Sequence, residues 1–419
     1  MVESRSAGTG LPASAVKQWI GLSGLAALVV LLAMLPRLDP SPDHAAALAV
    51  AAAMLPVVAL ELLVGRAYRH ASAGLLWDRS APLDIGRSAV KLLGLAATLA
   101  GLALCYWAFP LYHGDFYQPL WDLLYRYGVY GLIAAIPYFL LIDARMQQPE
   151  DGYWQVGMLL LCRFARIDRA ELARHVRTWV IKGFYTPLMF GALVEGILVF
   201  YHFDFFRTDG SFQAVYFFAS NLLFTVDLVF ALAGYLLTVR LLDAHVRSAE
   251  PTVLGWLAAI ICYEPFWTVI ASRFLRFEDD MPWGPGLGGW PLLPVLWGVG
   301  ILALLAVYAW ATVSFGCRFS NLTHRGILTS GPYRVTKHPA YIAKNLSWWM
   351  IWLPFMLEQQ WVEGLRDCIM LLLVNGIYLL RARTEEAHLS LDPDYVAYAA
   401  WMRRHGWFRW LARWRIGRG

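Results

Sequence analysis

The sequence predicts an all-α integral membrane protein of about ten transmembrane helices, with a C-terminal helical hairpin and a polar loop and tail on its cytoplasmic side. Three observations carry this expectation. Of 419 residues, 59% are hydrophobic and only 16% charged, whereas a soluble domain carries about 25% charged residues. The mean hydropathy is +0.49. Windows of roughly 20 residues with almost no charge recur along the chain, and that is the length a helix needs to cross a bilayer. The same composition excludes a soluble enzyme, a disordered chain and a disulfide scaffold. The apolar runs are continuous and not alternating, which excludes an outer-membrane barrel. Five cysteines lie scattered with no C-x-x-C pair, so neither a zinc site nor a disulfide framework is expected.

The apolar windows fall at about 19–36, 44–64, 88–110, 123–143, 183–203, 214–239, 252–272, 291–313, 339–357 and 362–380. The first runs into Leu35-Pro36-Arg37 without a small-x-small cleavage pattern, and so reads as a retained helix. Basic residues orient the set. With the N-terminus in the cytoplasm, segments 1–18, 65–91, 144–182, 240–251, 314–344 and 381–419 hold 29 of the 35 Lys and Arg residues. The other six are Arg37, Arg126, Arg207, Arg273, Arg276 and Arg366. An even number of spans returns the C-terminus to the same side. A bacterial inner membrane is the expected location.

Residues 145–182 join a short apolar stretch, Trp154 to Leu161, to Arg163, Arg166, Arg169, Arg174 and Arg177. This segment reads as helices lying on the inner membrane surface with arginines towards lipid headgroups; a plain basic loop is the alternative. The glycine- and proline-rich loop Met281 to Pro291 marks the expected boundary between a seven-span bundle, 1–290, and a three-span unit, 291–419. Four acids sit inside apolar windows: Glu61, Glu195, Asp227 and Glu264. Intramembrane charge is costly and faces a partner or a cavity. Structural pairing, a polar substrate pocket and an ion path are the alternatives.

The chemistry-bearing residues flank the last two spans. Ser330-Gly331-Pro332 is turn chemistry. Pro339 suits the first position of a helix. Span nine therefore starts at the cytoplasmic face with free backbone N–H groups, an anion site to which Arg334, Lys337 and His338 add charge. Spans nine and ten form a tight hairpin, joined only by about Glu358 to Trp361, and the chain re-emerges as Arg381-Ala382-Arg383-Thr384-Glu385-Glu386-Ala387-His388. Arg381 and Glu385 share a helix face. Asp392-Pro393 caps a further helix carrying Tyr395, Tyr398 and Trp401 and ending near Gly406. The hairpin holds a basic loop beside a paired-acid tail, a setting for a ligand of mixed charge.

At these residues the chain resembles the isoprenylcysteine carboxyl methyltransferase and phospholipid methyltransferase superfamily of integral membrane enzymes. The likeness covers about residues 291–409. It rests on the order G-x-Y-x-x-x-(R/K)-H-P-x-Y, apolar hairpin, E-E-x-x-L and Tyr-rich helix, matched by Gly331, Tyr333, His338, Pro339, Tyr341, Glu385, Glu386, Leu389 and Tyr398. Lys337 stands where arginine is commoner, Ala343 where a glycine often stands, and no proline follows Arg403-Arg404. The resemblance implies S-adenosylmethionine as cofactor, bound by Gly331, Tyr333, Lys337, His338, Pro339, Tyr341, Glu385, Glu386 and Tyr398. It implies a membrane lipid or a prenylated chain as methyl acceptor, and the size of the fused bundle suggests a lipid-linked molecule; no metal is expected, since no histidine pair has ligand spacing with acidic support, and no nucleic acid.

Catalytic candidates are Glu386 and His388 as bases, for an acceptor that needs one, and Arg334. Glu195, Asp227, Glu264 and Trp348 are acceptor-binding candidates in and beside the bundle. Against these stand plainer readings: a solvated Glu385-Glu386 helix turn, His338 as a turn residue, His324, His388 and His405 as interfacial residues, and Trp348 and Trp349 packed on lipid. A nicotinamide-dependent reductase of the sterol reductase type would carry an asparagine-tyrosine pair after the histidine, where this chain has Pro339-Ala340-Tyr341. A transporter or membrane scaffold explains the spans and the acids but not the two-part motif. The topology has a direct test: single cysteines placed at Asp209 and Asp279 should react with an impermeant maleimide from outside the cell, and labelling from the cytoplasm would overturn the arrangement.

Overall fold

The computed structural model describes residues 10–77, 82–202, 211–275, 283, 287, 292–352 and 361–409. The chain is about 76% helical. In order come α1 (Gln18–Leu38), α2 (Pro42–Leu60, prolonged by a wide turn over Glu61–Gly65), α3 (Ile85–Ala108), α4 (Gln118–Asp143), α5 (Gly152–Leu160), α6 (Arg169–His202) and α7 (Phe212–Leu236). They are followed by α8 (Val253–Ile260), α9 (Phe266–Phe274), α10 (Leu293–Val313), α11 (Pro339–Trp352), α12 (Trp361–Leu389) and α13 (Pro393–His405). Among the described residues seven helices are long and apolar enough to cross a membrane: α1, α2, α3, α4, α6, α7 and α10. The protein is an all-α membrane protein. The only sheet among the described residues pairs β1 (Ser248–Ala249) antiparallel with β2 (Thr323–His324).

Of the other three apolar windows, two differ from unbroken spans for a visible reason, and one is described only in part. Window 252–272 is split into α8 and α9 around 261–265. Pro265 has no N–H to donate to the carbonyl four residues back, and the Glu264 carboxylate instead accepts from the Thr268 hydroxyl at 2.7 Å. Helix α11 begins at Pro339, as the sequence predicts, and is described for 14 residues. Helix α12 does not stop near 380 but runs on through Glu385, Glu386 and His388. Asp367 and Arg381 bracket its uncharged stretch, which is shorter than a bilayer is thick. Asn375 accepts from Trp349 Nε1 at 2.8 Å and donates to Asn345 at 2.5 Å, while Tyr341 reaches Glu385, so α11 and α12 pair antiparallel. Their connection before Trp361, most of the loop 281–291, Arg207, Asp209, Arg276 and Asp279 lie outside the described residues.

Segment 145–182 holds α5, a short turn and the start of α6. Helix α5 is packed along α3, where Gly94 faces the Tyr153 carbonyl and Gly157 the Val90 carbonyl at distances that admit no Cβ. Trp154 and Met158 are buried in that contact. Arg169, Arg174 and Arg177 lie in the opening turns of the 34-residue α6, so this basic stretch prolongs a span. Behind them Asp143, fully buried, accepts from Arg87 and pairs with the buried Lys91, each at 2.7 Å.

The main core lies between α1, α2, α6, α7 and α10. Small residues allow close approach there, as lipid-embedded helices require. Ala45, Ala46, Ala49 and Ala53 line one face of α2 with no exposed surface. One side chain ties the helix ends together. The Arg325 guanidinium, 3% exposed, donates to five carbonyls: Gly234 (2.6 Å), Leu237 (3.0 Å), Ala244 (2.7 Å), Cys317 (3.0 Å) and Phe319 (2.9 Å). These are the unpaired C-terminal carbonyls of α7, the next turn, and the turn after α10. Near it Asp243, buried, accepts from Ser72 (2.6 Å) and Arg318 (3.3 Å). Residues 12–15 run beside 327–330, with Ala15 N–H donating to the Ile327 carbonyl at 2.9 Å. That strip and α13 share an end of the bundle, since Leu11 packs on Ile327, Tyr395 and Tyr398.

Arg325→Met should lower unfolding stability by more than about 3 kcal/mol, since several buried carbonyls lose their donor at once. Thermal unfolding in detergent checks this against the exposed-site control Arg403→Met, which is expected to shift little.

Candidate functional site

The 310 turn Gly331–Arg334 starts the site. Gly331 has φ +59, a left-handed conformation, and a Cβ there would meet Ser314 Oγ at 3.1 Å. Pro332 continues the turn, and Pro339 opens α11. Helix α13, capped by Asp392 accepting from Asp394 N–H at 2.7 Å, lies against this loop. Its Tyr398 hydroxyl donates to the Tyr333 carbonyl at 2.5 Å, and Trp407 N–H to the Val335 carbonyl at 3.0 Å.

The loop and the acidic end of α12 meet directly. Lys337 pairs with Glu386. His338 Nε2 lies 2.8 Å from the other Glu386 oxygen. The Tyr341 hydroxyl donates to Glu385 Oε2 at 2.7 Å. His338 and Tyr341 stack with ring centroids 5.4 Å apart and planes 6° from parallel. Burial works to raise the Glu386 pKa, but the hydrogen bonds from His338 and Lys337 outweigh it and hold the carboxyl at about 2.

Beside these contacts opens a cleft of about 620 Å³, counted to its open mouth. It is lined by Tyr333, Lys337, His338, Tyr341 and Glu385 of the motif and by Tyr263, Tyr308, Phe315, Phe319 and Asn321 from other segments. Two cations are set against its aromatic rings. The Arg381 guanidinium lies 5.1 Å from the Tyr341 centroid and 5.3 Å from Tyr263, and Lys344 Nζ lies 5.1 Å from Trp348 and 5.7 Å from both Tyr308 and Tyr378. Arg381 also donates to Asn321 Oδ1 at 2.5 Å, and Asn321 Nδ2 donates to the hydroxyls of Tyr235 (2.7 Å) and Tyr263 (3.0 Å). This network joins α7, the α8–α9 break, the loop after α10, and α12.

A second cleft, of about 430 Å³, shares Asn321, Tyr341, Arg381 and Glu385 with the first and adds Glu250, Thr384 and His388. His388 is buried, with Nε2 at 2.8 Å from Ser248 Oγ and Nδ1 at 3.6 Å from Glu250. Burial lowers its pKa, with Glu250 and Glu385 opposing. Burial likewise drives His324, 3.3 Å from Asp392, down to about 4.

The structure thus brings Tyr333, Lys337, His338, Tyr341 and Glu385 to one cleft. Gly331 and Pro339 shape its loop, Glu386 holds Lys337 and His338 from outside the lining, and Tyr398 pins the turn from behind with its ring in an apolar cluster. Arg334 is exposed and lines neither cleft. Of the acids in the bundle, Asp227 stands behind the first cleft, accepting from Tyr308 (2.8 Å) and Thr312 (2.5 Å). Trp348 stacks on Trp267 and meets Tyr378 edge-on, extending the aromatic wall. Glu195 and Glu264 are exposed and line neither cleft, while Glu61 is buried at the end of α2. Among the described residues no three His, Cys, Asp or Glu side chains are grouped to hold a metal ion.

Sequence reasoning missed Arg381, Asn321, Tyr263 and Lys344. The Arg381–Glu385 spacing was a signal for the first; the others come from segments far apart in the chain. No family model, curated protein or solved structure matches the chain.

The depressed Glu386 pKa has a pH consequence. A carboxyl whose pKa falls on folding stabilises the folded state above its unfolded value and ceases to do so as pH drops through the folded value. The pairing should contribute roughly 1–2 kcal/mol at pH 7 after allowing for partial exposure. The stability difference between wild type and Glu386→Gln, read by unfolding in detergent, should be constant above pH 5 and vanish between about 4.5 and about 2.

Proposed function

We propose that the chain is an S-adenosylmethionine-dependent methyltransferase acting on a lipid, prenylated or lipid-linked acceptor at the cytoplasmic face of a bacterial inner membrane. The proposal includes the ten-span arrangement with both termini cytoplasmic. One observation carries it: two motif halves more than 40 residues apart in sequence interlock, Lys337 and His338 on Glu386 and Tyr341 on Glu385, beside an aromatic cleft.

The donor set suits the cofactor. Lys337, His338 and the first turn of α11 would hold the α-carboxylate. Glu385 would accept from the ribose hydroxyls or the ammonium. Tyr263, Tyr333 and Tyr341 would cover the adenine or the sulfonium with π faces. Bound there, the cofactor supplies an electrophilic methyl group for in-line displacement by the acceptor. The residues' work is alignment and the exclusion of water, which the tyrosine and phenylalanine walls provide. Glu386 acts through Lys337 and His338. With its carboxyl held near 2, it is a poor proton acceptor at neutral pH. His388 is the better base for an acceptor that must lose a proton, since burial favours its neutral form. Asp227 would act on an acceptor through Tyr308 and Thr312, to which it is bonded, and Trp348 would offer it an aromatic face.

Calorimetry of S-adenosylmethionine with the purified full chain tests this. Binding is expected, and Glu385→Gln, Glu386→Gln and His338→Ala should each weaken it about ten- to a hundredfold, the loss of one charge-assisted hydrogen bond of about 1.5–3 kcal/mol. No binding to the folded wild type, or unchanged binding in all three variants, would refute the assignment.

A further inference from the structure

A second pair of cavities lies in the N-terminal bundle, away from the motif residues. The first, of about 740 Å³, is polar and sits between the C-terminal end of α4, the start of α5, the first turns of α6 and the segment after α7. The other, of about 1240 Å³, is apolar: Leu99, Leu102, Leu120, Trp121 and Leu124 from α3 and α4 face Pro187 and Tyr235 from α6 and α7. Trp179 and Lys182 belong to the lining of both. The two cavities therefore adjoin, one charged and one greasy, with an ammonium at the junction. The apolar one is bordered by the exposed residues Ala103, Leu124 and Leu236, on surfaces that a bilayer's chains would cover.

The acids and bases of the polar cavity are unevenly paired. Its three acids are all engaged: Asp143 with Arg87 and Lys91, Asp151 with Lys91 at 3.4 Å, and Glu171 with Arg174. Two of its cations have only neutral neighbours within bonding distance among the described residues. Lys182 Nζ donates to the Thr238 hydroxyl at 2.9 Å and stands 4.1 Å from the Trp179 ring centroid. Arg240 donates to the Ala73 carbonyl at 3.1 Å, and its other neighbour is His245 Nε2 at 3.4 Å. Burial and Arg240 hold His245 down at about 3, so that imidazole is neutral and open to donation. A guanidinium and an amine with no carboxylate in bonding contact, at the junction with an apolar groove, match an anionic head on an apolar chain.

We propose that this is a binding site for an anionic phospholipid taken from the surrounding membrane, with its phosphate between Arg240 and Lys182 and one acyl chain in the groove between α3, α4 and α6. The inference does not rest on the reading of the C-terminal cleft. A zwitterionic lipid is disfavoured, because the three acids that could meet its positive group are already engaged with Arg87, Lys91 and Arg174.

The full chain in dodecyl maltoside, titrated by calorimetry, gives the test. Three probes separate the terms: dioctanoyl phosphatidylglycerol, dioctanoyl phosphatidylcholine and inorganic phosphate. Phosphatidylglycerol should bind at least tenfold tighter than phosphatidylcholine and at least a hundredfold tighter than phosphate. Lys182→Gln combined with Arg240→Gln should abolish the preference between the two lipids. Ala103→Trp, which fills the groove and touches no charge, should weaken phosphatidylglycerol at least tenfold. Equal affinity for the two lipids in the wild type overturns the proposal. So does phosphate binding as tightly as the lipid, or an Ala103→Trp affinity within twofold of wild type. The wild-type comparison and Ala103→Trp decide the matter even if the double variant fails to fold.

Discussion

Five carbonyls gathered by one guanidinium hold the polar end of this molecule together. Helices α7 and α10 both end near Arg325, and each leaves C-terminal carbonyls that the helix itself cannot pair. In a membrane protein such groups have little water to turn to. Arg325 meets them with donors fixed in a planar fork. A lysine could not span acceptors on both helix ends. The loop that carries the motif residues, 327–338, begins two residues later, so its position is set by the same contact. Burial drives the Arg325 pKa down to about 10, which still leaves the side chain charged at neutral pH.

From that anchor the candidate cleft follows by layers. Asn321, four residues before Arg325, reaches Arg381 on α12 and the hydroxyls of Tyr235 and Tyr263. Arg381 in turn stacks on Tyr263 and Tyr341. Glu385, one helical turn beyond, takes the Tyr341 hydroxyl, and Glu386 takes Lys337 and His338. The arrangement explains why two adjacent glutamates are needed. Neighbouring helical residues point about 100° apart, so one carboxylate lines the cleft while the other holds the basic loop. The N-terminal bundle contributes walls and not only a membrane anchor: Tyr263 lies before the boundary expected near 290, and Asp227 on α7 reaches Tyr308 and Thr312 on α10.

Charge is distributed differently in the two cavity systems. In the C-terminal cleft, Lys337, Lys344 and Arg381 lie against Glu386 or aromatic faces, so cations are held ready and largely compensated. In the N-terminal pair, the acids bond to other bases, and Arg240 and Lys182 have only neutral bonded neighbours among the described residues. The first pattern suits a ligand carrying both signs of charge, and the second suits an anion attached to an apolar chain.

Much of this was legible in the chain itself. Continuous apolar windows give helices because a membrane allows backbone polar groups only internal partners. Pro339 opening α11, Asp392-Pro393 opening α13 and Gly406 closing it are local chemistry, readable without knowing any neighbour. The pairing of the Gly331–Tyr341 loop with Glu385-Glu386 was also legible, because a short hairpin must bring its two ends back to the same side. What composition could not show is where an apolar window breaks. The run around Glu264-Pro265 is as hydrophobic as its neighbours, yet it divides into α8 and α9 and delivers Tyr263 to the cleft. Nor could it show that the arginine-rich start of α6 prolongs a helix, or that α5 packs on α3 through Gly94 and Gly157. The depth of Glu61, the exposure of Glu195 and the convergence of Arg325, Asn321, Arg381 and Lys344 depend on how helices distant in sequence lie side by side. Hydropathy measures each residue's cost in lipid; only the packed bundle decides which neighbour meets that cost.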